Sequence, residues 1–388
     1  MIISNAKIFL GTGKTLERGW LRVSKGKIEQ VQEGAAPQPQ RDEEVFDAAG
    51  MLLTPGFVDA HTHIGMWEDS MGFEGDDGNE DTDPCTPQLR AVDAVNPLER
   101  AFPEALAAGI TTVLTGPGSS NPIGGRFTAM KTCGRCIDSM LVCAEVGMKF
   151  ALGENPKVTF HSRSQTPVTR MATAALIREQ LNKALRYRDD RLSAEQDPEL
   201  DMPEYDAKCE ALQPLLAGKQ KAFFHAHRAD DIFTALRIAR EFRLDAVLIH
   251  CTEGHLIADE LLKAHAQVIW GPMLSSRTKP ELSNYTPAAP GILAARGIPA
   301  ALCTDHPELP IQYLPLSAGV AVAEGMDPTA ALMAITSVPA RMCGIGDRVG
   351  SIAPGLDADL LLFDCDPLSV GTKPAAVWVN GQRCGSVQ

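Results

Sequence analysis

Apolar residues fall along this chain in two rhythms, and the change from one to the other marks its organisation. Over the first fifty residues, short strand-like runs at 6–10, 20–23 and 27–31 are separated by Gly and Pro, the pattern of small antiparallel sheets. From residue 51 the runs become wholly apolar and alternate with segments of helical period. The pattern predicts strands over 52–58, 111–114, 148–152, 222–224, 246–249, 268–270 and 300–303. Between them it predicts helices over 97–108, 171–187, 230–242, 254–264 and 288–296, with 126–145 mostly helical as well. After a last helix over 328–335, short strands return at 360–363 and 376–379, and Asn380-Gly381 reads as a turn.

Strands that alternate with helices imply a parallel sheet with helices on its outer face, and about eight strands over roughly 290 residues suit a closed barrel. The expected fold class is therefore α/β, a (β/α)8 TIM barrel over 53–344. Neither β-rich end is long enough to fold alone. Residues 1–52 and 345–388 are expected to combine into one small β-sandwich domain beside the barrel. The acidic, Pro-containing stretch 189–206 reads as a surface insertion.

Composition narrows the function classes. With 44% hydrophobic and 22% charged residues the chain has the balance of an ordinary globular protein. A formal charge of −13 without any Lys/Arg cluster disfavours nucleic acid and anionic membrane surfaces as partners. No uninterrupted apolar run approaches about 18 residues, and the first ten residues lack the basic-then-apolar form of a leader, so a cytoplasmic location is expected. The ten cysteines are scattered, as reduced thiols are. Cys133-x-x-Cys136 lacks the second pair a zinc ribbon needs.

The candidate chemistry sits at strand ends. Asp59-Ala60-His61-Thr62-His63 follows the run 52–58, and residues two apart on a strand face the same way. His225 ends the run before it, His250 ends 246–249, and Asp305 follows 300–303 by one residue beyond Thr304. Imidazole nitrogens and a carboxylate at successive strand ends make a ready divalent-metal site on the face where barrel enzymes carry their chemistry.

Pro55-Gly56-Phe57-Val58-Asp59-Ala60-His61-Thr62-His63, Ala108-Gly109-Ile110-Thr111-Thr112-Val113, Ile249-His250, Thr304-Asp305-His306-Pro307 and Gly350-Ser351-Ile352-Ala353-Pro354-Gly355-Leu356-Asp357-Ala358-Asp359-Leu360 resemble the amidohydrolase superfamily. Within it they are most similar to the branch of imidazolonepropionases and prolidase-like enzymes. The resemblance implies that His61 and His63 bind a more buried metal and His225 and His250 a more exposed one. It implies zinc, as one or two ions, with manganese or iron as substitutes. Asp305 would touch the metal and take the proton of the attacking water, which leaves Asp305 and His250 as the catalytic candidates. Relatives place either a carboxylated Lys or a Glu at the fourth strand. Lys149 and Glu154 are the two candidates for that ligand; an odd separation keeps a regular strand from turning both inward, and Glu154, which needs no modification, is the favoured one.

Weaker candidates lie on loops of the same face. His227 shares a side with His225, His255 opens the helix after His250, and His306 adjoins Asp305. The Gly-rich stretch 116–126 lacks the ending of a P-loop and reads as a substrate loop whose Arg126 could meet a carboxylate. Arg170, Lys279 and Tyr285 lie on comparable loops. The expected activity is metal-dependent hydrolysis of an amide, peptide or cyclic amide C–N bond in a small polar substrate. The rivals are deamination of a nitrogen heterocycle on the same centre and a catalytically silent barrel acting as a binding subunit. A closed, even-numbered homo-oligomer is the expected assembly.

Overall fold

The computed structural model describes residues 1–69 and 71–385. The apolar runs after residue 56 gather in one eight-stranded sheet, whose strands are β1 (Phe57–Thr62), β2 (Ile110–Thr115), β3 (Ile123–Lys131), β4 (Leu141–Ala151), β5 (Lys221–Ala226), β6 (Ala246–His250), β7 (Gln267–Trp270) and β8 (Ala300–Leu302), neighbours in that order. Past the end of β8 the chain returns to β1. The Asp305 N–H donates to the His61 carbonyl at 3.1 Å and the Thr304 hydroxyl to Asp59 at 2.6 Å, so the sheet is nearly closed into a barrel.

Alternation along the strands builds two cores. Leu114, Phe127, Phe223, Val247, Ile249, Ile269 and Ala301 pack together inside the barrel. Phe150, Phe224, Leu248 and Val268 face outward against the helices. The helix Ala229–Phe242 shows why the outer layer forms: Ile232, Ala235, Ile238, Ala239 and Phe242 make one apolar stripe, and Asp230 and Asp231 meet the positive end of its dipole. Arg243 ends it in the left-handed conformation, at φ +55°.

One expectation is overturned. Residues 126–145 hold only one helical turn, Ile137–Met140, and are otherwise extended: β3 runs antiparallel to both β2 and β4, so a hairpin stands where a (β/α)8 barrel would place helices. Phe127 and Ala129 fill the barrel while Met130 packs outside, an alternation that tertiary burial rewards. The expected strand over 52–58 is also split. Leu52–Pro55 belongs to the second sheet and β1 to the barrel, with Gly56 between them. A Cβ at Gly56 would lie 2.0 Å from the Thr111 hydroxyl, so only glycine fits this junction. The helix expected over 171–187 is longer, Arg170–Gln196, and takes in part of the acidic stretch.

Both chain ends supply the second sheet. Ile2–Phe9, Thr15–Ser24, Lys27–Glu33, Val45–Asp47 and Leu52–Pro55 join Leu360–Phe363, Ala376–Val379 and Gln382–Arg383, all hydrogen-bonded into a single sheet. Leu52–Pro55 is the seam, parallel to Ile2–Phe9 and antiparallel to Leu360–Phe363. Ile3, Leu21, Leu53, Leu362 and Trp378 form its separate core. Buried Lys131 at the end of β3 pairs with Asp357 at 3.0 Å and with Asp359, fastening the barrel hairpin to this sheet. Among the described residues no helix is long and apolar enough to cross a membrane.

Candidate metal centre

The strands β1, β4, β5, β6 and the segment after β8 end around one point, and what they present there is polar. His225 arrives by plain alternation, because Phe223 packs inside the barrel and Phe224 outside. His250 does not. Ile249 is inside, so regular alternation would send His250 outward, but its φ of +69° turns the chain back. Asp305 is also left-handed, at φ +55°. Such backbone costs on the order of 1–3 kcal/mol in a non-glycine residue, and it recurs where side-chain placement matters more than local comfort.

Two clusters result. His61, His63 and Asp305 bring ligand atoms within 4.8 Å of one another, as do His225, His227 and His250. Asp305 joins them: one carboxylate oxygen lies 3.0 Å from His61 Nε2 and 3.3 Å from His63 Nε2, the other 3.9 Å from His250 Nε2. Most of these imidazoles are held from behind. His63 Nδ1–H donates to the Gly116 carbonyl at 2.7 Å and His250 Nδ1–H to the Gly271 carbonyl at 2.7 Å, which turns Nε2 of each toward Asp305. Nδ1 of His225 meets the Ser119 hydroxyl at 2.8 Å, and Nδ1 of His227 meets Thr252 at 2.7 Å.

Burial sets the charge states. Desolvation, with Lys149 or a neighbouring histidine acting in the same sense, keeps His61, His225 and His227 well below the usual imidazole range, and burial lowers His250 as well. These rings are neutral at physiological pH, the form that ligates metal. Burial alone would raise the Asp305 carboxyl, but His250, His61 and His63 outweigh it and hold it well below the carboxylate range. Lys149 is wholly buried and its pKa is pushed down to about 8 by desolvation. Its Nζ, 5.5 Å from the Phe127 ring centre, and His225 Nε2 are buried without any hydrogen-bond partner among the described residues. Neutral imidazoles, an ionised carboxylate and stranded polar atoms together fit a divalent cation.

Between the two strand-four candidates the structure brings Lys149, and not Glu154, to the centre. Gly153, at φ +88°, turns the chain so that Glu154 opens the helix Glu154–Ser162, and its carboxylate joins neither cluster. Other loop candidates are spoken for. Arg126 pairs with Glu145 at 2.7 Å and with the Gln88 carbonyl, Arg170 pairs with Asp231 at 3.0 Å, and His255 Nδ1 meets the Thr252 carbonyl at 3.0 Å; none of the three lines the cavity above the clusters. His227, Lys279 and Tyr285 do line it. This cavity of about 110 Å³ also takes in Trp67, Ser119, Asn155, Thr252 and Trp270, which the sequence did not single out. The Trp67 ring sits 4.3 Å from that of His63. Ser119 was the most legible of them, as a hydroxyl in a Gly-rich loop after a strand. His306 stands apart from the cavity, its Nε2 3.8 Å from buried Glu99.

A model of the amidohydrolase family matches residues 52–384. Amidohydrolase tasK of Hapsidospora irregularis is 32% identical over 400 residues, covering 96% of this chain and 40% of its own length, so the chain spans about 40% of that relative. The crystal structure of an amidohydrolase from Thermotoga maritima MSB8 superposes with a TM-score of 0.94 at 39% identity, covering 98% of each chain. A prolidase complexed with N-methylphosphonate-L-proline shares the fold, with a TM-score of 0.60 at 17% identity over 99% of this chain and 98% of the prolidase.

Proposed function

Because this chain belongs to the amidohydrolase family, we propose that it is a metal-dependent hydrolase that cleaves an amide, peptide or cyclic amide C–N bond in a small polar substrate. The observation that carries the reading is the Asp305 carboxylate, ionised and set among Nε2 atoms of His61, His63 and His250 at 3.0, 3.3 and 3.9 Å. In this reading His61, His63 and Asp305 hold one divalent cation, and His225 and His250 hold a second, with His227 beside them. Zinc suits the donor set, with manganese or iron as substitutes. When bound, such a cation supplies a water acidified toward neutrality and a Lewis-acidic contact for the substrate carbonyl.

The chain's own groups do the rest. Asp305, at the barrel mouth with two oxygens available, accepts the proton of the attacking water and returns it to the leaving nitrogen. Lys149 would help hold the metal as its N-carboxylate, formed when the neutral amine takes up CO₂ and releases a proton. Its lowered pKa favours that step by raising the neutral amine fraction. Lys279, whose Nζ reaches Asn155 Oδ1 at 3.0 Å and no carboxylate among the described residues, receives an anionic group of the substrate at the cavity rim. Trp67 and Trp270 supply apolar walls. Residues 53–344 are the catalytic unit, with 1–52 and 345–388 as its flanking β-domain, a single sheet rather than the expected sandwich. A cytoplasmic, even-numbered homo-oligomer completes the proposal.

The test combines metal analysis with a screen of dipeptides, N-acyl amino acids and cyclic amides, reading both acid or amine products and free ammonia. Asp305→Asn is expected to lower kcat by about 10²–10⁴-fold while the protein stays folded. Full turnover by that variant would refute the assigned role, and ammonia as the sole nitrogenous product would move the chemistry to deamination.

A further inference from the structure

The thiols outside the metal centre are not randomly placed. All ten cysteines are free, yet Sγ of Cys133 and Sγ of Cys384 lie 3.7 Å apart although 251 positions separate them in the chain. Cys133 sits in the turn joining β3 to β4, and Lys131, two residues earlier, is fastened to Asp357 and Asp359 of the second sheet. Cys384 follows the edge strand Gln382–Arg383, and its N–H donates to the Val377 carbonyl at 2.9 Å. Both backbones are thus anchored while Cys133 stays exposed. Cys136, the partner that the Cys-x-x-Cys spacing suggests, instead meets Asp138 at 4.0 Å. A disulfide has an S–S bond of about 2.05 Å, so closing this one asks each sulfur to move by less than about 1 Å.

We propose that Cys133 and Cys384 are the site of an intramolecular disulfide that staples the C-terminal strand to the barrel hairpin, formed by exchange with a low-molecular-weight disulfide. Burial and the neighbouring Cys133 push the Cys384 thiol up to about 12, so exposed Cys133 attacks first. Its thiolate displaces one thiolate of the small disulfide and leaves a mixed disulfide. Cys384, giving its proton to solvent, then attacks the Cys133 sulfur and expels the second thiolate. The protein loses two protons and two electrons, and the co-reactant gains them as two thiols.

The full chain is incubated with oxidised glutathione, remaining thiols are alkylated, and peptides are mapped without reduction. The expected product is a linked pair of peptides carrying Cys133 and Cys384, retained in Cys136→Ser and absent from Cys133→Ser and Cys384→Ser. Cys384→Ser should instead keep glutathione on Cys133. Oxidation should raise Tm by several degrees in the parent and in Cys136→Ser alone, reversibly with dithiothreitol. A Cys133–Cys136 link, or glutathione persisting on Cys133 of the parent while Cys384 is alkylated, would overturn the proposal.

Discussion

At the scale of single residues, Lys149 is the position where stability and function conflict most openly. An amine buried in the barrel without a hydrogen bond is a cost the fold bears, and its pKa of about 8 records that cost. Replacing it with methionine keeps an unbranched side chain one atom shorter and removes the stranded amine. Lys149→Met is therefore expected to leave the Tm of the metal-free protein unchanged or higher. The same change should reduce the bound metal per chain and lower kcat by at least about 100-fold, measured by elemental analysis and steady-state kinetics. A variant with full metal content and turnover would remove Lys149 from the site. His250 and Asp305 make the same point in the backbone, since each accepts a left-handed conformation to aim its side chain.

At the scale of elements, the β3–β4 hairpin depends on its ionic attachment to the second sheet. Asp357 is contacted by Lys131 at 3.0 Å, by Arg348 at 2.9 Å and by Lys27 at 2.5 Å. Burial alone would raise its carboxyl, but these three cations bring it down to about 2 from an ordinary 3.8. A folded pKa below the unfolded one stabilises above the unfolded value, so the contribution is whole above about pH 4 and fades as pH falls toward 2. It amounts to about 2 kcal/mol. Asp357→Asn should therefore lose at least that much at neutral pH, and the gap in Tm between variant and parent should narrow in acid. A gap that stays constant down to pH 2 would show that the pairing contributes nothing. Asp359, wholly buried against Lys131, is pushed upward by desolvation and works in the opposite direction.

At the scale of the whole molecule, the candidate metal centre is the place where the barrel is sewn shut. Asp305 and Thr304 follow β8 and bond to His61 and Asp59 of β1, so a cation shared by His61, His63 and Asp305 would bridge the two edges of the sheet. A ligand bound only by the folded state adds about 2.7 kcal/mol when present at about 100 times its Kd. Chelation should accordingly lower Tm by a few degrees, and zinc, though not magnesium, should restore it. Identical melting with and without chelator would argue against a metal seated across the closure.

The sequence by itself determined whatever depends on neighbours along the chain. Alternating apolar runs announced seven of the eight barrel strands, and His61, His63, His225, His250 and Asp305 were legible because each stands at or just past the end of such a run. Periodicity failed over 126–145, where a period of two was rewarded only by contacts with β2 and β4, and at Gly56, where one apolar run serves two sheets. Tertiary structure alone decided the rest. Lys149 rather than Glu154 reaches the centre because Gly153 turns the chain. Arg126 and Arg170 are consumed by Glu145 and Asp231, whereas Lys279 is left at the cavity rim. Which acid a base finds, and which thiol a thiol meets across 251 residues, is set by distances that folding creates and that no local pattern encodes.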